Sequence, residues 1–221
     1  MDFVVRSTAL PEPVALELTR RTAAGLAYMH GRGYAHRDMS LENVVRGRRG
    51  EPKVVDFGLV VALHPAPPGA PPRAVCAQSP AAWFGKDRYM PPEIVRVMAY
   101  YADRVDVWCL GVMLLVMLSG SPLWNFWHAE SEVWAAVSGG LLREHLAPDV
   151  AISPATAALL QRMMALDPLA RPTAAELLEE PALAPREGVS LLDDDEEEAA
   201  AAAAEAAEAA AAAAGGDEMM L

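Results

Sequence analysis

The sequence predicts a mainly α-helical domain that carries one small β-hairpin. Apolar residues recur at helical spacing over residues 13–29 and again in several segments from residue 92 onward. Between these regions, two short β-rich runs flank a turn that contains glycine and proline, which is typical of a hairpin. The chain has 221 residues, 53% of them hydrophobic, so it is long and apolar enough to bury a core.

The first element is a helix over residues 13–29. Val14, Leu18 and Leu26 are roughly helically spaced, and Gly31-Arg32-Gly33 ends the pattern.

The hairpin follows this helix. Its strands are predicted at residues 43–45 and 53–55, and its turn, over residues 47–52, is expected to lie away from the chemistry. After it, residues 63–72 contain five prolines, which exclude a regular helix and predict a mobile loop.

The remainder of the domain is predicted to be helical, with proline and glycine between the segments. The predicted helices cover residues 92–98, 105–118, 130–138, 154–165 and 174–179. The apolar run at 107–118 is too short to span a bilayer, which favours a buried core helix and no membrane partner.

The net charge of −12 is concentrated at the end of the chain. Residues 187–221 hold eleven acidic side chains and no lysine or arginine, which leaves residues 1–186 with a net charge of −1. We therefore predict a domain over residues 1–182 and an acidic, alanine-rich, low-complexity tail over 183–221. The charge pattern gives no indication of nucleic-acid binding, because residues 1–186 are close to neutral.

Cysteine usage and the N-terminus bear on the compartment. Two cysteines do not make a disulfide framework, and the first residues lack the pattern of a signal peptide. We expect an intracellular protein, cytoplasmic or nuclear.

Six sequence markers carry the functional prediction. In chain order they are His36-Arg37-Asp38, Asn43, Asp56-Phe57-Gly58, Tyr89-Met90-Pro91-Pro92-Glu93, the run Asp106-Val107-Trp108-Cys109-Leu110-Gly111, and Asp167-Pro168-Leu169-Ala170-Arg171-Pro172. The order and spacing resemble the large C-terminal lobe of a eukaryotic serine/threonine protein kinase, over residues 1–182.

The resemblance implies ATP and Mg²⁺ as cofactors and a protein as substrate. Asp38 would accept or orient the proton of the substrate hydroxyl. Asn43 and Asp56 would hold the metal ions that bridge the phosphates, and both are oxygen donors, as the hard cation requires. Val45 would lie under the adenine ring.

Other residues would be structural within that family. His36 and Phe57 would stack beneath the site in a packed apolar column. Asp106 would accept backbone N–H bonds from the catalytic loop. Glu93 and Arg171 would form a buried ion pair, which is costly to break by removing one partner.

The chain departs from the family pattern at two positions together. Ser40 stands where many serine/threonine kinases have a lysine, and Lys86 follows Gly85 where they commonly have a threonine. We hypothesise that the two groups have exchanged places, so that Lys86 supplies the cation near the transferred phosphate and Ser40 is its partner. The alternative is that both positions have drifted.

Arg37 precedes the catalytic aspartate, as in kinases that are switched on by phosphorylation of the activation loop. Ser79 is the candidate modification site, because Tyr89, the other hydroxyl side chain between Gly58 and Glu93, matches a fixed structural position. A phosphate on Ser79 could pair with Arg37 and order the loop.

The small N-terminal lobe of a kinase has no counterpart in the sequence. There is no G-x-G-x-x-G motif, and neither Lys53 nor Lys86 has the context of the strand lysine that holds the nucleotide phosphates. We expect little or no activity from this polypeptide alone. Three explanations stay open. The chain is an incomplete gene model, fragment or splice product of a full kinase; or it is a truncated non-catalytic binding module or decoy; or it receives its missing lobe from a partner chain. A small-molecule kinase of related fold is less favoured.

Overall fold

A computed structural model describes residues 9–48, 50–63, 75–76, 85–120, 152–186, 188–189 and 191 of the chain. The described part is mainly helical, as predicted. Its helices are α1 (Glu12–Gly31), α2 (Pro92–Val95), α3 (Ala102–Ser119), α4 (Pro154–Met163) and α5 (Ala174–Leu177). Its strands are β1 (Tyr34–Ala35), β2 (Val44–Arg46), β3 (Pro52–Val54), β4 (Val61–Ala62), β5 (Val75–Cys76) and β6 (Ala99–Tyr100).

The core is built around α3, which is buried along its length from Ala102 to Leu118. Helix α1 packs against it through a face that includes Leu16 and Leu26. Helix α3 ends at Gly120, whose φ of 71° is the left-handed conformation that glycine adopts without steric cost. A helix buried on all sides is hydrophobic all round, which explains why its sequence shows a continuous apolar run.

The observed helices differ in length from the predicted ones: α1 is three residues longer, and α4 and α5 each end two residues earlier. Helix α2 stops at Val95, not at residue 98, because Val97 has a φ of 53° and the N–H of Met98 turns back to the carbonyl of Glu93. Helix α3 begins three residues earlier than predicted, because its polar first residues Asp103 and Arg104 are also buried. The helix predicted at residues 130–138 lies outside the described residues, as do most of the loop predicted at 63–72 and most of the tail.

The predicted hairpin is confirmed as β2 and β3, an antiparallel pair in which Val44 lies opposite Val54 and Val45 opposite Lys53. A second antiparallel pair, β1 with β4, joins Tyr34 to Ala62 and Ala35 to Val61. The β1–β4 pair joins the two ends of the stretch 34–62, and the β2–β3 hairpin lies inside it. This stretch holds the first three functional markers.

Packing continues past the predicted domain boundary at residue 182. Leu183 and Leu191 are both buried in the same apolar core as α1 and α3. The carbonyl of Leu191 also accepts a hydrogen bond from Arg46 of β2. The boundary itself stays a prediction. None of the helices in the described part of the chain combines the length and apolarity needed to cross a bilayer.

Candidate active site

The turn before Asp38 is held by a carboxylate from the core helix. Asp106 of α3 is fully buried and accepts hydrogen bonds from the backbone N–H groups of His36 at 2.8 Å and Arg37 at 2.7 Å. His30 Nε2 also lies 2.8 Å from Asp106 Oδ2. Arg37 has a φ of 66°, which is rare for a residue with a side chain and persists only where the surroundings fix it. The brace expected of Asp106 is therefore present in the structure.

Asp38 is oriented by Asn43, five residues further along the loop. Asn43 Nδ2 donates to the backbone carbonyl of Asp38 at 2.6 Å and to Asp38 Oδ2 at 2.8 Å. The half-buried carboxylate accepts no hydrogen bond at Oδ1 from the described residues. One carboxylate oxygen is thus held in place while the other is available to a substrate hydroxyl, the arrangement that a general base needs.

The hairpin brings Asp56 next to Asn43. The N–H of Val55 donates to the carbonyl of Asn43 at 2.9 Å, which extends the β2–β3 ladder by one pair, and Asp56 follows directly. Its φ of 63° turns the chain out of the hairpin, and its exposed carboxylate accepts from the N–H of Gly58 at 3.3 Å. The pairing register therefore places Asp56 one residue beyond the partner of Asn43.

The donor set of Asn43 and Asp56 fits a hard divalent cation. Because Asn43 uses its Nδ2 on Asp38, its carbonyl oxygen remains for a metal, and Asp56 supplies a carboxylate. The described residues contain no cluster of three or more His, Cys, Asp and Glu side chains that could hold a metal. Mg²⁺ is usually held by one or two protein oxygens together with phosphate and water.

The structure brings the rings of His36 and Phe57 together, but only His36 is buried, and their place in an apolar column stays a prediction. His36 is fully buried; its Nε2–H donates to the Val55 carbonyl at 3.1 Å and its Nδ1 accepts from the N–H of Asp38. The Phe57 ring meets His36 edge-on at 5.4 Å, yet 57% of its surface is exposed. The reason is that no described residue covers the outer face of this ring. Val45, the predicted adenine contact, is half-buried on β2.

Glu93 and Arg171 form a buried, two-pronged ion pair. Arg171 NH1 and NH2 donate to Glu93 Oε1 at 2.7 Å and Oε2 at 2.9 Å. The guanidinium also donates to the backbone carbonyls of Ala165 and Arg104 and lies 4.7 Å from the centre of the Trp108 ring. Every part of the cation is satisfied, so the pair ties the residues before α5 to α2 and α3.

Lys86 and Ser40 are in contact. Lys86 Nζ donates to Ser40 Oγ at 2.7 Å and lies 3.3 Å from Glu42 Oε2. Partial burial acts to raise the pKa of Glu42, but the hydrogen bond from its own backbone N–H and the Lys86 ammonium outweigh it and lower that pKa. The structure thus brings together the two groups that the exchange hypothesis pairs, while their catalytic role stays a prediction.

The guanidinium of Arg37 has partners within the chain. Its Nε donates to the carbonyl of Leu59 at 2.7 Å and its NH1 to the hydroxyl of Tyr100 at 3.0 Å. Ser79, the predicted modification site, lies outside the described residues. The regulatory role of both residues stays a prediction.

Sequence reasoning missed two groups at the site, Glu42 and the hydroxyl of Tyr89. Tyr89 accepts a hydrogen bond from the N–H of Leu41 at 3.4 Å, and its carbonyl accepts from Cys109 Sγ at 3.2 Å. Burial raises the pKa of both the Tyr89 hydroxyl and the Cys109 thiol, so neither ionises near neutral pH. The signal for Glu42 was its place two residues after Ser40, but sequence spacing in a loop does not fix side-chain direction.

Comparison with known proteins agrees with this geometry. A family model described as protein kinase domain matches residues 1–183. Mitogen-activated protein kinase kinase kinase 3 of Arabidopsis thaliana is 32% identical over 176 residues, which is 78% of this chain and 26% of that protein. A probable serine/threonine-protein kinase of Zea mays is 31% identical over 183 residues, covering 82% of this chain and 27% of that protein.

Maternal embryonic leucine zipper kinase of Danio rerio is 29% identical over 180 residues, or 81% of this chain and 25% of that protein. The chain thus spans about a quarter of the length of these relatives. Because the family match covers residues 1–183, which is most of the sequence, the chain belongs to the protein kinase family.

Proposed function

We propose that this chain carries the phosphoryl-transfer site of a serine/threonine protein kinase. The observation that carries the proposal is the Asp38 carboxylate, which Asn43 holds by one oxygen while the other accepts no hydrogen bond from the described residues. Serine and threonine are the proposed acceptors because the loop after Asp38 lacks the Ala-Ala-Arg sequence of many tyrosine kinases. The substrate is a protein, in keeping with the family.

The reaction asks mainly for position and charge from the protein. Asp38 Oδ1 takes the proton of the substrate hydroxyl while the hydroxyl oxygen bonds to the terminal phosphorus of ATP. The bond from this phosphorus to the bridging oxygen breaks, and its electron pair leaves with ADP. Bound Mg²⁺ would neutralise phosphate charge, and Asn43 and Asp56 would hold it.

Nucleotide positioning by this chain alone is expected to be poor. The chain has two lysines; Lys53 of β3 is exposed and lies 3.1 Å from Glu51, and Lys86 contacts Ser40. Neither comes with a glycine-rich phosphate loop. We therefore propose weak or no transfer by the isolated chain and full activity only with a second lobe, in the same polypeptide or from a partner.

An exposed apolar surface supports the second candidate function, a kinase-like binding module. Tyr28 is 67% exposed and Phe57 57% exposed, at a cavity of about 650 Å³ lined by residues of α1 and β3. Large aromatic side chains left exposed together commonly mark interaction sites. This surface would suit either a second lobe or a partner chain.

Transfer of labelled phosphate distinguishes the two functions. With saturating Mg²⁺ and ATP, we expect slow transfer to a serine- and threonine-containing protein by the full chain, and Asp38→Asn should reduce it by about 100-fold or more because the proton acceptor is lost. Circular dichroism should show that the variant keeps its fold. If Asp38→Asn transfers phosphate as fast as the unmodified chain, Asp38 is not the base. If neither the unmodified chain nor the chain joined to a kinase N-terminal lobe transfers phosphate, the binding module is favoured.

A further inference from the structure

The Lys86 ammonium is fixed at the edge of the loop that carries Asp38. Its partner Ser40 is fully buried, so the hydroxyl at 2.7 Å is an immobile anchor. On the other side lies Glu42 Oε2 at 3.3 Å, while the Lys86 side chain is 38% exposed. A lysine ammonium has three donors, and the described contacts use two of them. One donor therefore remains on a side that solvent, or a ligand, can reach.

Gly85 lies against the loop that carries the base. It has a φ of 79°, and a Cβ at this position would lie 3.1 Å from the carbonyl oxygen of Arg37 and 3.5 Å from Asp38 Oδ1. Lys86 is the next residue, and Asp38 and Lys86 both line one small hollow.

Two cationic residues, Arg37 and Lys86, line this hollow. The Arg37 guanidinium is directed to the Leu59 carbonyl and the Tyr100 hydroxyl. Glu42 lies beside the Lys86 ammonium, and Asp38 lines the same hollow. A phosphoryl group that enters beside Asp38 brings further negative charge, so a preorganised cation there would stabilise it.

We propose that Lys86 binds an oxygen of the terminal nucleotide phosphate and that Ser40 positions the ammonium for this contact. The proposal rests on the proposed function and identifies the residue that supplies the cation for the terminal phosphate. This residue belongs to the segment just before the Pro91-Pro92-Glu93 triplet, not to the loop that carries Asp38. Recognition of the terminal phosphate therefore requires that the two segments are docked on each other.

The test compares the affinities of the full chain for Mg²⁺·ATP and Mg²⁺·ADP, measured by NMR titration, because ADP lacks the terminal phosphate. Lys86→Met should weaken ATP binding by about tenfold and ADP binding by less than about twofold, the loss expected for one charged hydrogen bond. Lys86→Arg keeps a cation and should retain most of the preference for ATP. Lys53→Met, which removes the chain's other lysine, is the matched control and should change neither affinity.

Two further variants separate positioning from charge. Ser40→Ala keeps the ammonium but frees it, and should weaken ATP binding by about threefold with little change for ADP. The exchanged variant, Ser40→Lys with Lys86→Ser, should bring ATP binding back to within about threefold of the unmodified chain, because an ammonium and a hydroxyl again meet there.

The possible failures of this test differ from one another. If Lys86→Met weakens ATP and ADP equally, or changes neither, Lys86 does not read the terminal phosphate and the inference is overturned while the proposed function stands. If neither the unmodified chain nor the chain joined to a kinase N-terminal lobe binds Mg²⁺·ATP, the proposed function fails and the inference falls with it.

Discussion

Replacing Arg171 with methionine is expected to lower the free energy of unfolding by about 3–5 kcal/mol. The guanidinium is fully buried and donates through two nitrogens to Glu93, which is itself 4% exposed. Its removal leaves a carboxylate without a partner in the core, and desolvation makes that arrangement costly. Chemical denaturation followed by circular dichroism measures the change.

The double variant Arg171→Met with Glu93→Leu is the control for this prediction. It also removes the orphaned carboxylate, so it should be more stable than Arg171→Met alone by about 1–3 kcal/mol. It will still lose the bonds from Arg171 to the carbonyls of Ala165 and Arg104. Strictly additive losses in the double variant would mean that the two charges are not coupled.

Asp106→Ala is expected to cost about 2–5 kcal/mol, because two buried backbone donors lose their acceptor. These donors belong to His36 and Arg37, the residues directly before Asp38. The loss of structure should also be local, so hydrogen exchange at the amides of His36 and Arg37 should accelerate more than exchange along α1. Since Arg37 is held at a φ of 66°, release of the turn should also free Asp38 from its present position.

Asp103→Ala on the same helix is the matched control. Asp103 is buried like Asp106, but its Oδ1 has no hydrogen-bond partner in the part of the chain that the structure describes. Its Oδ2 lies 3.5 Å from Nε of the buried Arg104, so its removal should also lower stability, but it should not accelerate hydrogen exchange at the amides of His36 and Arg37. Equal acceleration at these two amides in both variants would contradict the role of Asp106 as a brace for the loop.

Features encoded by neighbouring residues could be predicted from the sequence. Helix α1 and the β2–β3 hairpin end within about two residues of their predicted bounds, because spacing and turn residues are local signals. The β1–β4 pair was not predicted, since two residues are too few to show alternation and their partners lie almost thirty positions away. Helix α2 was overestimated because the left-handed turn at Val97 leaves no mark in the apolar pattern.

At the site, too, local features could be predicted, whereas features that depend on distant residues could not. The resemblance to the kinase family predicted that Asp38 and Asn43 belong to one site, and the structure has them joined by a hydrogen bond. The exposure of Phe57 could not be read from the sequence, because burial depends on what packs against the ring. Glu42 was missed for a similar reason, since its side chain meets Lys86, forty-four positions away, only once the segment is folded.

The central claim is that Asn43 and Asp56 hold a metal–nucleotide complex beside Asp38. An NMR titration with ATP, with and without Mg²⁺, tests it most directly through the amide signals of Asn43 and Gly58. We predict that these signals shift only with Mg²⁺ and report a dissociation constant of about 1 mM. Asp56→Asn should abolish the shifts, whereas the exposed control Glu179→Gln should leave them unchanged. Shifts that are the same without Mg²⁺, or that survive in Asp56→Asn, would contradict the claim.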